Sequence, residues 1–70
     1  MVRYYIQTEK GKEFITNIDY SQGTLEFTLD GDKAYKDRDG YYATPTKEFI
    51  IHNFAEKYPQ VKALCCEGAY

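Results

Sequence analysis

Apolar and polar residues alternate from the start of the chain: Val2, Tyr4 and Ile6 on one side, Arg3, Tyr5 and Gln7 on the other. A period of two is that of a strand with one buried face. Glu9-Lys10-Gly11-Lys12 then supplies a turn, and the run Glu13 to Asp19 places Phe14 and Ile18 on one face and Ile15 on the other. A second turn, Tyr20-Ser21-Gln22-Gly23, leads into Thr24 to Asp30, where Leu25, Phe27 and Leu29 point inward and Thr24, Glu26, Thr28 and Asp30 outward. Strands joined by short Gly-bearing turns predict an antiparallel meander.

Beyond a charged, turn-rich stretch from Asp32 to Gly40, Tyr41-Tyr42-Ala43 reads as a short fourth strand. Thr44-Pro45 has the form of a helix start, a hydroxyl at the N-cap followed by proline at the first helical position. Ile50, Ile51, Phe54, Ala55 and Tyr58 then make one apolar stripe at helical spacing, and Pro59 ends the helix. Gln60 to Glu67 reads as a last strand, with Val61, Ala63 and Cys65 opposed to Lys62, Leu64 and Cys66. The expectation is a single α+β domain over residues 1–70, with one helix covering an antiparallel sheet of four to five strands.

At 70 residues the chain has room for one small core. A fold of this size buries only about 60% of the surface its unfolded chain exposes. Eleven acidic against nine basic side chains leave a net charge of −2, too balanced for a basic nucleic-acid arm or an acidic disordered tail. Met1-Val2-Arg3-Tyr4-Tyr5 lacks the apolar core of a secretory signal. The longest strongly apolar run, Phe49-Ile50-Ile51, is far short of the ~20 residues that span a bilayer. The cysteines are adjacent, Cys65-Cys66, which is no disulfide framework. A cytoplasmic protein without membrane contact is expected.

Groups that could carry chemistry are sparse. A calcium loop with Gly40 at its sixth position aligns Asp37 and Asp39 but puts Tyr35 first and Thr46 twelfth. With Gly31 in that place, Asp30 and Glu26 align but Thr28 falls third, so both registers fail and the aspartates read as turn formers. Cys65-Cys66 lacks the spacing for a shared zinc or a redox pair, and on a strand one thiol faces in and the other out. His52 could pair with a thiol, yet no third group orients it. Glu48 and Glu56 lie two helical turns apart among solvated charges, and each glycine stands singly rather than in a phosphate-binding run. Neither catalysis, metal nor cofactor is expected.

Eight tyrosines are the unusual feature. Tyr5 should stand on the sheet face turned from the helix, with Ile15 at the same parity and Tyr41 or Tyr42 beside them. Tyrosine is enriched at interfaces because it offers a large contact area at low entropic cost. A second patch follows from the helical wheel, which places Phe49 beside His52, Asn53 and Glu56, opposite the core stripe. The plainer expectation is that Phe49 tucks against Tyr41-Tyr42. The candidate contact residues are therefore Tyr5, Ile15 and Tyr42, with Phe49 and His52 second.

These surfaces predict a non-enzymatic protein-binding module that also associates with itself, most simply as a homodimer, to extend its small core. The alternative is single-stranded nucleic-acid binding by base stacking on a tyrosine-bearing sheet, or capture of a nucleotide-like ligand by Tyr and Arg3 at an oligomer interface. The net charge of −2 disfavours phosphate attraction. The succession Tyr4-Tyr5-Ile6-Gln7, Gly11-Lys12, Tyr20 to Gly23, Leu25-Glu26-Phe27 and Lys33-Ala34-Tyr35 resembles small accessory proteins of bacteriophages and mobile elements. That resemblance covers about half the chain and implies a host-directed role, inhibition of a bacterial defence protein being one.

Overall fold

In a computed structural model describing residues 1–38 and 40–68, the chain forms strands β1 (Val2–Thr8), β2 (Gly11–Asp19) and β3 (Thr24–Thr28), helix α1 (Ala43–Phe54) and strand β4 (Cys65–Gly68). The strands make one antiparallel sheet in the order β3-β2-β1-β4. β1 alternates as its sequence predicts: Val2, Tyr4 and Ile6 are buried, and α1 contributes Ala43, Ile50 and Phe54 to the same core. Burying a side chain such as Ile50 or Val2 contributes about 1.5–3 kcal/mol, so the helix is held chiefly by this contact. The result is the expected two-layer α+β arrangement, with four strands.

The parity of β2 departs from the simple alternation. Ile15, expected on the open face, is 0% exposed and lies in the core, whereas Phe14 pairs with Tyr5 on the opposite face. A bulge follows: the register against β3 shifts between Ile15 and Asn17. The extra residue lets Ile15 and Ile18, three positions apart, both turn inward opposite Phe27 and Leu25. Without it one of the two isoleucines would face water.

The bulge also marks where β1 and β2 separate, since their pairing runs only from Tyr5↔Phe14 to Thr8↔Gly11. Residues 34–37 fill the divergence. The Tyr35 N–H donates to the Ile15 carbonyl at 2.8 Å, and Asp37 exchanges backbone hydrogen bonds of 2.9 and 2.8 Å with Val2. The fully buried Tyr4 sends its hydroxyl to the Asp37 carboxylate at 3.0 Å. Burial raises the Tyr4 phenol well above its usual pKa, so it acts as a permanent donor.

Four other expectations are corrected. β3 stops at Thr28, leaving Leu29 exposed instead of inward. Tyr41-Tyr42-Ala43 is no strand: Gly40–Tyr42 is a 3-10 turn that runs directly into α1. Helical geometry therefore begins before Thr44, the cap position is Tyr42, and Pro45 sits third in the helix, where its missing N–H would have had no intrahelical acceptor. Gln60 to Leu64 is not strand either. Pro59–Ala63 forms a 3-10 turn that buries Val61, and Leu64 is buried just past it, a spacing of three in place of the two that alternation required. In β4 it is Cys66 that packs toward the core and Cys65 that is exposed. No helix among the described residues is long and apolar enough to cross a membrane.

Candidate functional site

Two aromatic surfaces lie on opposite sides of the sheet. On the face away from α1, Tyr5 and Phe14 stand side by side on β1 and β2 with ring centroids 5.7 Å apart. Each ring is roofed by a cation of the chain itself. Lys12 Nζ lies 4.8 Å from the Tyr5 centroid, and the Arg3 guanidinium 4.8 Å from that of Phe14. Both cations converge on Glu67 of β4, Arg3 Nη2 donating to Oε1 and Lys12 Nζ to Oε2, each at 2.7 Å. Lys12, and after it Arg3, holds the Glu67 carboxyl below its ordinary range, and Glu67 in turn raises the Lys12 ammonium. Arg3 Nη1 also donates to the Gly31 carbonyl at 3.1 Å. A Cβ at residue 31 would come within 2.6 Å of Arg3 Nη1 and 3.2 Å of Phe14 Cε2, so glycine allows this close approach.

On the other side, Tyr20 of the β2–β3 turn meets α1. Its ring centroid is 5.6 Å from Phe49 and 5.7 Å from Phe54, tilted by 58° and 52°. Tyr20 remains 56% exposed and Phe49 52%, while Phe54 is 2% exposed and forms the floor between them. With Gly23 and Asn53 these rings line an open cleft of about 520 Å³. The turn that presents Tyr20 is locked by Asp19, whose Oδ1 accepts from the Ser21 and Gln22 N–H groups at 3.0 and 3.1 Å and from the Ser21 hydroxyl at 2.7 Å. These bonds, the Ser21 hydroxyl foremost, lower the Asp19 pKa and keep it ionised. Gly23 closes the turn at φ +68°, a left-handed conformation that costs other residues roughly 1–2 kcal/mol. Partial burial, with the Tyr35 phenol nearby, raises the Tyr20 pKa. Asn53 is held at the rim by its Nδ2, which donates to the Phe49 carbonyl at 2.7 Å.

The predicted contact residues divide between these surfaces. Tyr5 occupies the outer face as expected, half-buried under Lys12. Ile15 does not join it, because it follows Phe14, whose pairing with Tyr5 puts Phe14 on the outer face and Ile15 in the core. Tyr42 is exposed at the start of α1, in an edge-on pair with Tyr41 at 5.1 Å. Phe49 packs on Tyr20, not on Tyr41-Tyr42. Tyr42 lies in the 3-10 turn ahead of α1, away from the Tyr20–Phe49 pair, and His52 is exposed on the helix. The sequence reading missed Tyr20, which it treated as a turn residue. Its signal was the presence of a large ring in a turn otherwise made of Ser, Gln and Gly, the small or polar types that turns favour.

Cys65 pairs with Tyr5 on the outer face, and His52 lies in the helix layer, so the sheet stands between them. Among the described residues no group of three or more His, Cys, Asp or Glu side chains is placed to hold a metal ion. Asp39, which entered the calcium-loop register, lies outside the described residues. Comparison of the chain with protein families, curated proteins and solved structures gives no match.

Proposed function

We propose that this protein is a non-catalytic protein-binding module that docks through the Tyr20–Phe49 patch. The observation that carries the proposal is the pairing itself. Two large rings from separate elements pack at 5.6 Å, yet each leaves more than half its surface in water. Rigid, half-exposed aromatics over an apolar floor are the composition of binding hot spots. A small module of this kind acts by occupying a surface on its target, as a stoichiometric inhibitor or adaptor does. The resemblance to phage accessory proteins makes a host defence protein the target class, and self-association through the same patch is a second form of the same binding.

Nucleic-acid or nucleotide binding on the outer sheet face is the weaker reading. Stacking needs a free ring face, and the Tyr5 and Phe14 rings already carry Lys12 and Arg3, both engaged by Glu67.

The test is affinity capture from bacterial lysate, split into nuclease-treated and untreated halves, with three baits: the unaltered protein, Phe49→Ser and Tyr5→Ser. A stoichiometric protein retained by the first and third baits and lost with Phe49→Ser supports the reading. Retention equal on all three baits, or lost only with Tyr5→Ser, overturns the assignment to this patch. Material retained only without nuclease would favour the stacking alternative.

A further inference from the structure

We infer that residues 34–37 form a strap that opens from the gap between β1 and β2 as a unit of its own, latched by the Tyr4 hydroxyl on Asp37, while the sheet and α1 stay folded. The strap enters the sheet without being one of its strands. Its backbone donates from Tyr35 to the Ile15 carbonyl at 2.8 Å and meets β1 in an isolated bridge between Asp37 and Val2. Arg3 Nη1 holds the Gly31 carbonyl at 3.1 Å and so fixes the chain just ahead of it.

Little apolar surface backs these bonds. Ala34 is the one buried side chain among residues 31–38, and it lies outside the core cluster that joins β1, β2 and α1. Tyr35 and Lys36 are exposed. Lys36 Nζ donates to the Asp32 and Ala34 carbonyls at 2.9 and 3.3 Å, bonds internal to this stretch of chain that need no contact with the sheet. Ordering one residue's backbone costs at least as much as one net hydrogen bond returns, so a segment tied by polar bonds alone falls at the low-stability end of a fold. Release hands the Val2 N–H, the Val2 and Ile15 carbonyls and the Tyr4 hydroxyl to water, so opening leaves none of them buried without a partner. The latch is the tie best shielded from water, because Tyr4 is fully buried while its hydroxyl reaches Asp37 Oδ2 at 3.0 Å.

Amide hydrogen exchange of the whole protein, followed by NMR in increasing sub-denaturing urea, tests this. The Tyr35 and Asp37 amides are expected to be less protected than those of Ile6 and Phe54 and to respond little to urea, because their opening exposes little surface. Ile50→Val weakens the core, so Ile6 and Phe54 should exchange faster while Tyr35 and Asp37 keep their rates. Tyr4→Phe keeps the ring in the core and removes the latch, so Tyr35 and Asp37 should exchange about fivefold faster, the ratio that one net hydrogen bond represents. Strap amides that share the urea response of Ile6 and Phe54, or that accelerate with them in Ile50→Val, would overturn the inference, since the strap would then open only by global unfolding. Unchanged exchange at Tyr35 and Asp37 in Tyr4→Phe would overturn the latch.

Discussion

The Leu25 N–H donates to the Tyr58 hydroxyl at 3.2 Å, so the residue just beyond α1 caps the free edge of the sheet at β3. The Tyr58 ring also meets Phe27 edge-on at 6.2 Å. Unpaired edge strands recruit other strands, and natural sheets protect them. Here Tyr58 engages one edge N–H of β3.

Tyr58→Phe should therefore keep the ring contact and lose the cap. The expected cost is about 0.5–1.5 kcal/mol, the net value of one hydrogen bond. The aggregation rate of the folded protein, followed by light scattering, should rise as well. Unchanged stability and unchanged scattering together would mean that the edge needs no cap.

Ile15 and Tyr5, expected on one face, lie on opposite faces of the sheet. Ile15→Ala removes a fully buried side chain and should cost about 2–5 kcal/mol. Leu25→Ala, on the facing strand, should fall in the same range. Tyr5→Ala lies outside the core and should shift the urea midpoint far less. A Tyr5→Ala loss as large as that of Ile15→Ala would show the outer face to be a second core.

Glu67 ties β4 to β1 and β2 through Arg3 and Lys12. Its folded pKa is depressed, so its contribution is present above the unfolded value of about 4.3 and is lost as pH falls through the folded one. The Lys12 pKa is raised, so its share is complete below the unfolded value of about 10.4 and is lost as pH rises through the folded one. Urea unfolding of the unaltered protein and Glu67→Gln should differ at neutral pH and converge in acid. A constant difference across that range would assign the effect of the substitution to packing.

Cys65 is exposed on the edge strand while Cys66 is partly buried against the core. Mild oxidation with diamide should yield a disulfide-linked dimer on a non-reducing gel. Cys65→Ser should abolish that dimer and Cys66→Ser should not. A dimer that persists in Cys65→Ser would mean that β4 opens to expose Cys66.

The local pattern alone determined the α+β class, the alternation of β1, the two tight turns and the presence of α1, although the helix ends at Phe54 rather than just before Pro59. Each is governed by interactions within a few residues, where a period of two or of 3.6 and the chemistry of Gly and Pro are decisive. The sequence also pointed to Tyr5 and Phe49 as surface aromatics, and both are found there. Only the tertiary structure decided that Ile15 and Ile18 lie on the same side of β2. A single extra residue inverts every later parity in a strand, and what selects the bulge is the partner strand, together with residues 34–37 packed into the gap it opens. The same holds for Gln60 to Leu64, whose spacing of three is set by the core that Val61 and Leu64 must reach. It holds most of all for Tyr20, which becomes part of a site because the helix brings Phe49 and Phe54 against it from about thirty residues away in the chain.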